Sequence, residues 1–372
     1  MKAFVKRLLD LTVQIQQIPA PTFAEARRAQ FVEGLFKAEG LHEISIDEIH
    51  NVYACLPGEG HARPLIVSAH LDTVFPFETN LTAQKQKDRI IGPGIGDNSL
   101  GVAALLGLVW LLRKHKISLP GDLWLVANVC EEGLGDLRGM RTVVDRFGVD
   151  VQAYLVIEGL SLGYIQHRAL AVQRYRITAR TTGGHSWSDY GQPSALHELS
   201  ALVTRLTAIP LPEEPRTSMN VGRMGGGTSV NAIAADAWLE LDLRSESPQV
   251  LTKLTQTVEQ LVETASTLPG TGRPEVRMET EVIGRRPAGE FPVSHPLIEL
   301  AKACLREQGI EPRLMIGSTD ANMPLSLGLP ALVLGVTNGA GAHTPGEFIY
   351  TEPLERGMQQ LVQFVSRAWG QK

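Results

Sequence analysis

Five separate stretches of this chain place imidazole or carboxylate groups at the end of an apolar run or in a tight glycine loop. Residues 65–69 (LIVSA) run into His70-Leu71-Asp72-Thr73, and residues 123–129 (LWLVANV) into Cys130-Glu131-Glu132-Gly133. Residues 154–157 (YLVI) run into Glu158-Gly159, and residues 331–336 (ALVLGV) into a loop holding Ala342-His343-Thr344. Between the first two lies Gly92-Pro93-Gly94-Ile95-Gly96-Asp97-Asn98, a glycine-rich loop that opens an apolar helix. Imidazole and carboxylate without thiolate suit zinc or a related divalent ion. Two neighbouring ions need about five protein ligands, with one carboxylate able to bridge. Asp97, held in its glycine loop, has the natural bridging position. Adjacent side chains leave an extended backbone in opposite directions unless the chain turns. Glu131 and Glu132 are therefore expected to divide the work, one on metal and one on protons. The glycine loop lacks the Lys-Ser/Thr ending of a phosphate loop. His42, His50, His61, His115, His167, His197 and His295 read as structural or solvent-facing, and Cys130 as a buried strand residue.

The elements that must position these groups alternate. An N-terminal helix has Phe4, Leu8, Leu11, Ile15 and Ile18 on one face. A second helix is expected over about 23–39, closed by Gly40, and a third over 100–116 with Ser99 as its cap. The short apolar runs are the mark of buried strands. Strands alternating with helices imply an α/β fold with a largely parallel sheet, and ligands in such sheets bind beyond the carboxyl ends of the strands. The middle of the chain differs. Residues 171–181 alternate apolar and polar, a helix follows over 193–209, and strands are expected over 218–224 and 232–244 around a Gly225–Gly227 turn. A helix over 248–267 and a strand over 276–283 complete a β-α-β-β-α-β order, the ferredoxin-like pattern. The expected organisation is one α/β domain, 1–170 and 286–372, with residues 171–285 inserted.

Composition sets outer bounds. The chain has 372 residues, too many for one typical domain. With 43% hydrophobic and 20% charged residues it can bury a real core. Its net charge of -5 argues against a general nucleic-acid binder. Three widely spaced cysteines, Cys55, Cys130 and Cys304, make no disulfide framework and point to a reducing compartment. The N-terminal segment carries Lys6, Arg7 and Asp10 among its apolar residues, unlike a signal peptide. The longest apolar run, 100–112, spans 13 residues and reads as a buried helix rather than a membrane span. A cytoplasmic location is expected.

In combination, the segments SAHLDTV, GPGIGDNSLGVAALL, CEEGLGDLRGM, VIEGL, TGGHSW and GAHTPGEFI resemble a co-catalytic zinc metallopeptidase and deacylase family. Its members include glutamate carboxypeptidase, acetylornithine deacetylase, succinyl-diaminopimelate desuccinylase, aminoacylase and peptidase T. The resemblance covers nearly the whole chain. It implies a zinc-peptidase-like α/β domain with an inserted ferredoxin-like lid that often dimerises. It implies that His70 and Glu158 bind one metal, that Glu132 and His343 bind the other, and that Asp97 bridges both, with an Asp97-Asn98 peptide that is often cis. Zinc is the expected ion, with cobalt and manganese as alternatives. Asp72 would orient His70, and Glu131 would be the general base. His185 would support the oxyanion, in dimeric relatives from the partner subunit. Asn231 and Arg244 match lid positions that hold substrate, and a guanidinium suits a carboxylate. The implied reaction is hydrolysis of an amide bond. Glu158, where aminopeptidase relatives tend to carry Asp, favours a short peptide or N-acyl amino acid with a free carboxylate. A peptidase T-like aminopeptidase is the alternative within the family, and an inactive peptide-binding homologue the alternative outside enzymes.

Overall fold

The computed structural model describes residues 2–266 and 275–370. The chain divides into two compact units, one formed by Met1–Ala169 with Gly289–Lys372 and the other by Leu170–Ala288.

The first unit is built on a mixed sheet whose centre is parallel. Strands Gly121–Asn128, Ala62–His70, Ala153–Glu158 and Ala331–Gly335 lie side by side in that order and run in one direction. Antiparallel strands flank them, Val52–Leu56 on one side and Tyr164–Ala169 on the other. The central strands are nearly continuous runs of buried Val, Ile, Leu and Ala, as expected where helices cover both faces. Register aligns their carboxyl ends. His70 lies opposite Asn128, and Glu158 opposite Gly335, so one rim of the sheet gathers the loops identified from the sequence.

The helix Gly101–Lys114 packs against the strand that ends in His70. The stretch Ile95–Lys114 has the length and apolarity to cross a membrane, yet it is buried inside this unit. Ser99 does not cap this helix. Residues Ile95–Leu100 already form a wider helical turn, kinked at Asp97 and Asn98 and continuous with it, so no free N-terminus exists there. The Ser99 hydroxyl is buried without a hydrogen-bond partner. The second helix is shorter than expected, Ala26–Ala38. The three cysteines are buried and unpaired with one another.

The second unit carries a separate antiparallel sheet. Its strands stand in the order Thr217–Gly226, Asp236–Ser245, Ala171–Arg180, Arg277–Arg286, with helices Ala195–Thr207 and Pro248–Ala265 packed on it. This is the ferredoxin-like order. Strand Asp236–Ser245 alternates strictly, with Leu239, Leu241 and Leu243 buried against the helices and Glu240, Asp242 and Arg244 on the opposite face. The long helix ends at Ala265, and the expected end at Thr267 lies outside the described residues. A short extra pair, Gly184–His185 with Ala232–Ile233, adds a ribbon that the periodicity did not reveal.

Candidate metal centre

Asp97 stands between two groups of ligand-type side chains. Its Oδ1 is 3.1 Å from Nε2 of His70, and its Oδ2 is 3.2 Å from Nε2 of His343. Glu158 Oε2 approaches His70 Nε2 at 3.7 Å, and Glu132 Oε1 approaches His343 Nε2 at 3.1 Å. His70, Asp97 and Glu158 form one cluster and Asp97, Glu132 and His343 a second, each with its donor atoms within 4.8 Å of one another. Glu131 presents an oxygen to the same space, together with His70 and Glu132. The chain turns there to allow it: Cys130 has φ of +57° and Gly133 +51°, so the neighbouring glutamates do not diverge as in a flat strand.

The supports come from far along the chain. The Asp72 carboxylate, fully buried, accepts the backbone N–H of Glu131 and of Glu132, each at 2.9 Å, and the Thr22 hydroxyl at 2.9 Å. Its backbone carbonyl takes the shorter contact from His70 Nδ1, 3.1 Å against 3.5 Å for the carboxylate. Asp72 thus orients His70 chiefly through its main chain and fixes the Glu-Glu turn through its side chain. The buried Arg28 donates to the carbonyls of Ile18 and Leu71, tying the residue before Asp72 to the N-terminal segment.

Asn98, joined to Asp97 by a cis peptide, holds Glu158 from both sides. Its amide donates to Ile157 O at 2.8 Å and its Oδ1 accepts Gly159 N–H at 2.9 Å. Glu347, fully buried, accepts N–H from Gly94 at 2.9 Å, Gly96 at 2.7 Å and Asp97 at 2.8 Å. It therefore pins the Asp97 loop to the loop that carries His343. Gly94 serves the same turn with φ of +68°. Sequence reasoning named Asn98 only for the cis peptide it shares with Asp97, and did not single out Glu347 or Arg28, although Glu347 lies inside the GAHTPGEFI segment.

The electrostatics call for cations. Burial pushes Glu132 and Glu158 each up to about 7, although hydrogen bonds from His343 and His70 respectively pull the other way. Burial also opposes the charge on Asp97, but hydrogen bonds and charge from His343 and His70 outweigh it and hold the carboxyl well below its usual range. Hydrogen bonds to Asp97 and Glu132 push His343 up to about 10. His70 is likewise held well above its ordinary value by Asp72, Asp97 and Glu158, against the effect of its burial. Protons here stand where cations would: four carboxylates converge with two imidazoles. Hard oxygen and imidazole nitrogen donors in two groups sharing one carboxylate fit a pair of divalent ions.

His185, Asn231 and Arg244 belong to the second unit. His185 pairs with Ala232 across the short ribbon, and Ser186 N–H donates to Asn231 O at 3.0 Å, so these two candidates are neighbours. The Nδ1 of His185 accepts from the backbone N–H of Trp187 and Ser188 at 3.2 and 3.4 Å. That leaves the ring proton on Nε2. Arg244 is bound through Nε to Asp242 Oδ2 at 2.7 Å.

An α/β fold with two groups of ligand-type side chains sharing Asp97 at its strand ends suits a metal-dependent hydrolase. The chain belongs to peptidase family M20/M25/M40, whose family model matches residues 66–367. It is therefore a metallohydrolase of the deacylase and peptidase kind. It is 26% identical to the succinyl-diaminopimelate desuccinylase of Corynebacterium glutamicum over 363 residues, covering 96% of this chain and 95% of that one. A tripeptidase from Staphylococcus aureus has the same fold, with a TM-score of 0.82, 21% identity and 99% of both chains covered. A Bacillus subtilis protein described as a dinuclear metal binding peptidase superposes with a TM-score of 0.69 at 17% identity, over 100% of both chains.

Proposed function

We propose that the protein hydrolyses an amide bond in a short peptide or N-acyl amino acid that bears a free carboxylate. The observation that carries this reading is the two-sided Asp97 carboxylate, one oxygen toward His70 and the other toward His343. His70, Glu158 and Asp97 would hold one divalent ion, and Glu132, His343 and Asp97 the other. Zinc suits this set best, and cobalt and manganese accept the same ligands. When bound, such a pair acidifies water and stabilises negative charge on oxygen.

Glu131 is the general base in this scheme. Its carboxylate takes a proton from the attacking water and delivers it to the departing nitrogen. Asp72 keeps Glu131 and Glu132 on their separate tasks by fixing both of their N–H groups. The Nε2–H of His185 is a donor for the developing oxyanion. Arg244 and Asn231 are the proposed substrate holders; with its Nε on Asp242, Arg244 would meet a carboxylate through its two terminal nitrogens. The ferredoxin-like unit is the proposed dimer contact. One of its two edge strands, Thr217–Gly226, exposes most of its residues.

The test is a metal titration followed by hydrolysis of a dipeptide and acyl-amino-acid library. The expected result is two ions bound, cleavage of N-acetylated substrates and sparing of C-amidated ones. Glu131→Gln should keep both ions and lose about 10²- to 10⁴-fold in kcat. A fully active variant rejects the role of Glu131. Cleavage of C-amidated peptides with a free amino terminus would favour the second reading, a tripeptidase, which the likeness to the S. aureus fold supports. Absence of a second ion and of any turnover would leave a peptide-binding homologue.

A further inference from the structure

Beyond the end of strand Gly121–Asn128, the backbone N–H groups of residues 129–132 are held in succession by side chains from distant parts of the first unit. Asn51 Oδ1 accepts Val129 N–H at 2.9 Å, Glu25 Oε1 accepts Cys130 N–H at 3.1 Å, and Asp72 accepts those of Glu131 and Glu132. Glu25 is the member of this row that meets strain. Cys130 has φ of +57°, a backbone conformation that residues with a side chain avoid, and this turn lets Glu131 and Glu132 face the same space. The Cys130 thiol lies 3.5 Å from the same Oε1. Phe23, with φ of +75°, donates its N–H to that oxygen as well, at 3.0 Å. One carboxylate oxygen thus fastens two left-handed residues from separate parts of the chain. Glu25 is only 2% exposed, and burying a carboxylate is costly. Its helix does not account for that burial: Glu25 stands at the N-cap position of Ala26–Ala38, yet its side chain makes no cap bond there.

We infer that Glu25 is a positioning residue for Glu131: by accepting the Cys130 N–H it holds the left-handed turn that aims the Glu131 carboxylate. The inference rests on the amide-hydrolase reading, in which Glu131 is the base, and adds to it a residue that belongs to neither ligand cluster. Two physical facts carry it. A left-handed Cys relaxes toward negative φ unless something holds it, because its Cβ crowds the following carbonyl. That relaxation would turn residue 131 away from its neighbours, and a misplacement of about 1 Å costs a reaction about 100-fold. Asp72 does not replace the lost bond, since its Oδ1 is committed to Glu131 N–H and its Oδ2 to Glu132 N–H and the Thr22 hydroxyl. What the turn needs from residue 25 is an acceptor oxygen at the right distance. Glutamine supplies one, aspartate withdraws it by a methylene, and methionine supplies none.

Two measurements on the metal-loaded protein test this role independently. In the first, Glu25→Met should lower kcat by about 10- to 100-fold, with KM and bound metal unchanged. Glu25→Asp should lose kcat in the same way, and it serves where the methionine variant does not fold. Glu25→Gln should recover most of the loss. Glycine takes a positive φ without penalty, so in a Cys130→Gly background the loss of Glu25 should cost about tenfold less. A kcat that neither Glu25→Met nor Glu25→Asp lowers overturns the inference. So does an equal loss in both backgrounds, or a fall in metal content that accounts for the loss. The second measurement does not need turnover. Hydrogen exchange at the Cys130 amide, read on a peptide spanning residues 129–132, should quicken by about tenfold or more in Glu25→Met and return toward wild type in Glu25→Gln. Unchanged exchange overturns Glu25 as the holder of the turn. Faster exchange with full activity rejects its part in catalysis. Faster exchange in a protein that hydrolyses no amide supports the hold on the turn while rejecting the hydrolase reading.

Discussion

Glu347→Gln is expected to move stability and metal binding in opposite directions. The carboxylate is fully buried and accepts three backbone N–H groups of the Asp97 loop. Burial nevertheless dominates and pushes it up to about 7 from an ordinary 4.5, with the nearby Asp97 charge adding to the effect. At about 1.4 kcal/mol per unit, that displacement is worth roughly 3.5 kcal/mol. The sign follows from linkage. The unfolded chain ionises first, so folded-state stability is highest below the unfolded value and is lost as pH rises toward 7. Glutamine matches the neutral acid in shape and never ionises. Relative to wild type, the metal-free Glu347→Gln protein should therefore gain about 2.5 kcal/mol of stability between about pH 5 and pH 8. Over the same change its hold on metal should weaken by about 10- to 100-fold, the usual loss when a supporting hydrogen-bond partner is altered. Denaturant unfolding of chelated protein at both pH values gives the first quantity, and competition with a chelator gives the second. A stability difference that does not move with pH, or unchanged metal affinity, refutes the reasoning.

Further outcomes follow from the same geometry. Asp97→Asn should reduce bound metal from two ions to at most one, read by elemental analysis after dialysis, because an amide cannot bridge as a carboxylate does. Asn98→Ala removes both hydrogen bonds that bracket Glu158; about 1–3 kcal/mol of stability should go with them, measured by denaturant unfolding. His185→Ala should lower kcat by about 100-fold with metal content unchanged, as expected for loss of one oxyanion donor. An unaltered kcat would remove His185 from the reaction.

The convergence of most of these candidate side chains was legible in the sequence because they follow strands that announce themselves. A buried parallel strand is an unbroken apolar run, and a His or Glu that ends it stands at the rim where ligands bind. The hidden part consists of residues whose partners are backbone groups far away. Asn98 holds Glu158 across 59 positions or more, and Glu347 reaches Gly94 across 253. Nothing in their local spacing marks such partners. Arg28 was hidden for a related reason: it lies in an amphipathic helix where an arginine ordinarily faces water, yet it is buried on carbonyls. Ser99 was misread because a serine before an apolar run is the mark of a cap, whereas here the helix begins earlier around the Asp97 kink. The ribbon at His185 was missed because two-residue strands carry no periodicity.

The chain leaves the first unit after Ala169 and returns at Gly289, and these two residues are directly paired on adjacent antiparallel strands. Topologically the whole ferredoxin-like body is the tip of a hairpin. A tip can be lengthened, exchanged or trimmed to a tight turn without cutting any strand that ends in a ligand. Selection can therefore rework the part bearing His185, Asn231 and Arg244 while the scaffold around Asp97 stays as it is, which gives a single chemical core a route to many different amides.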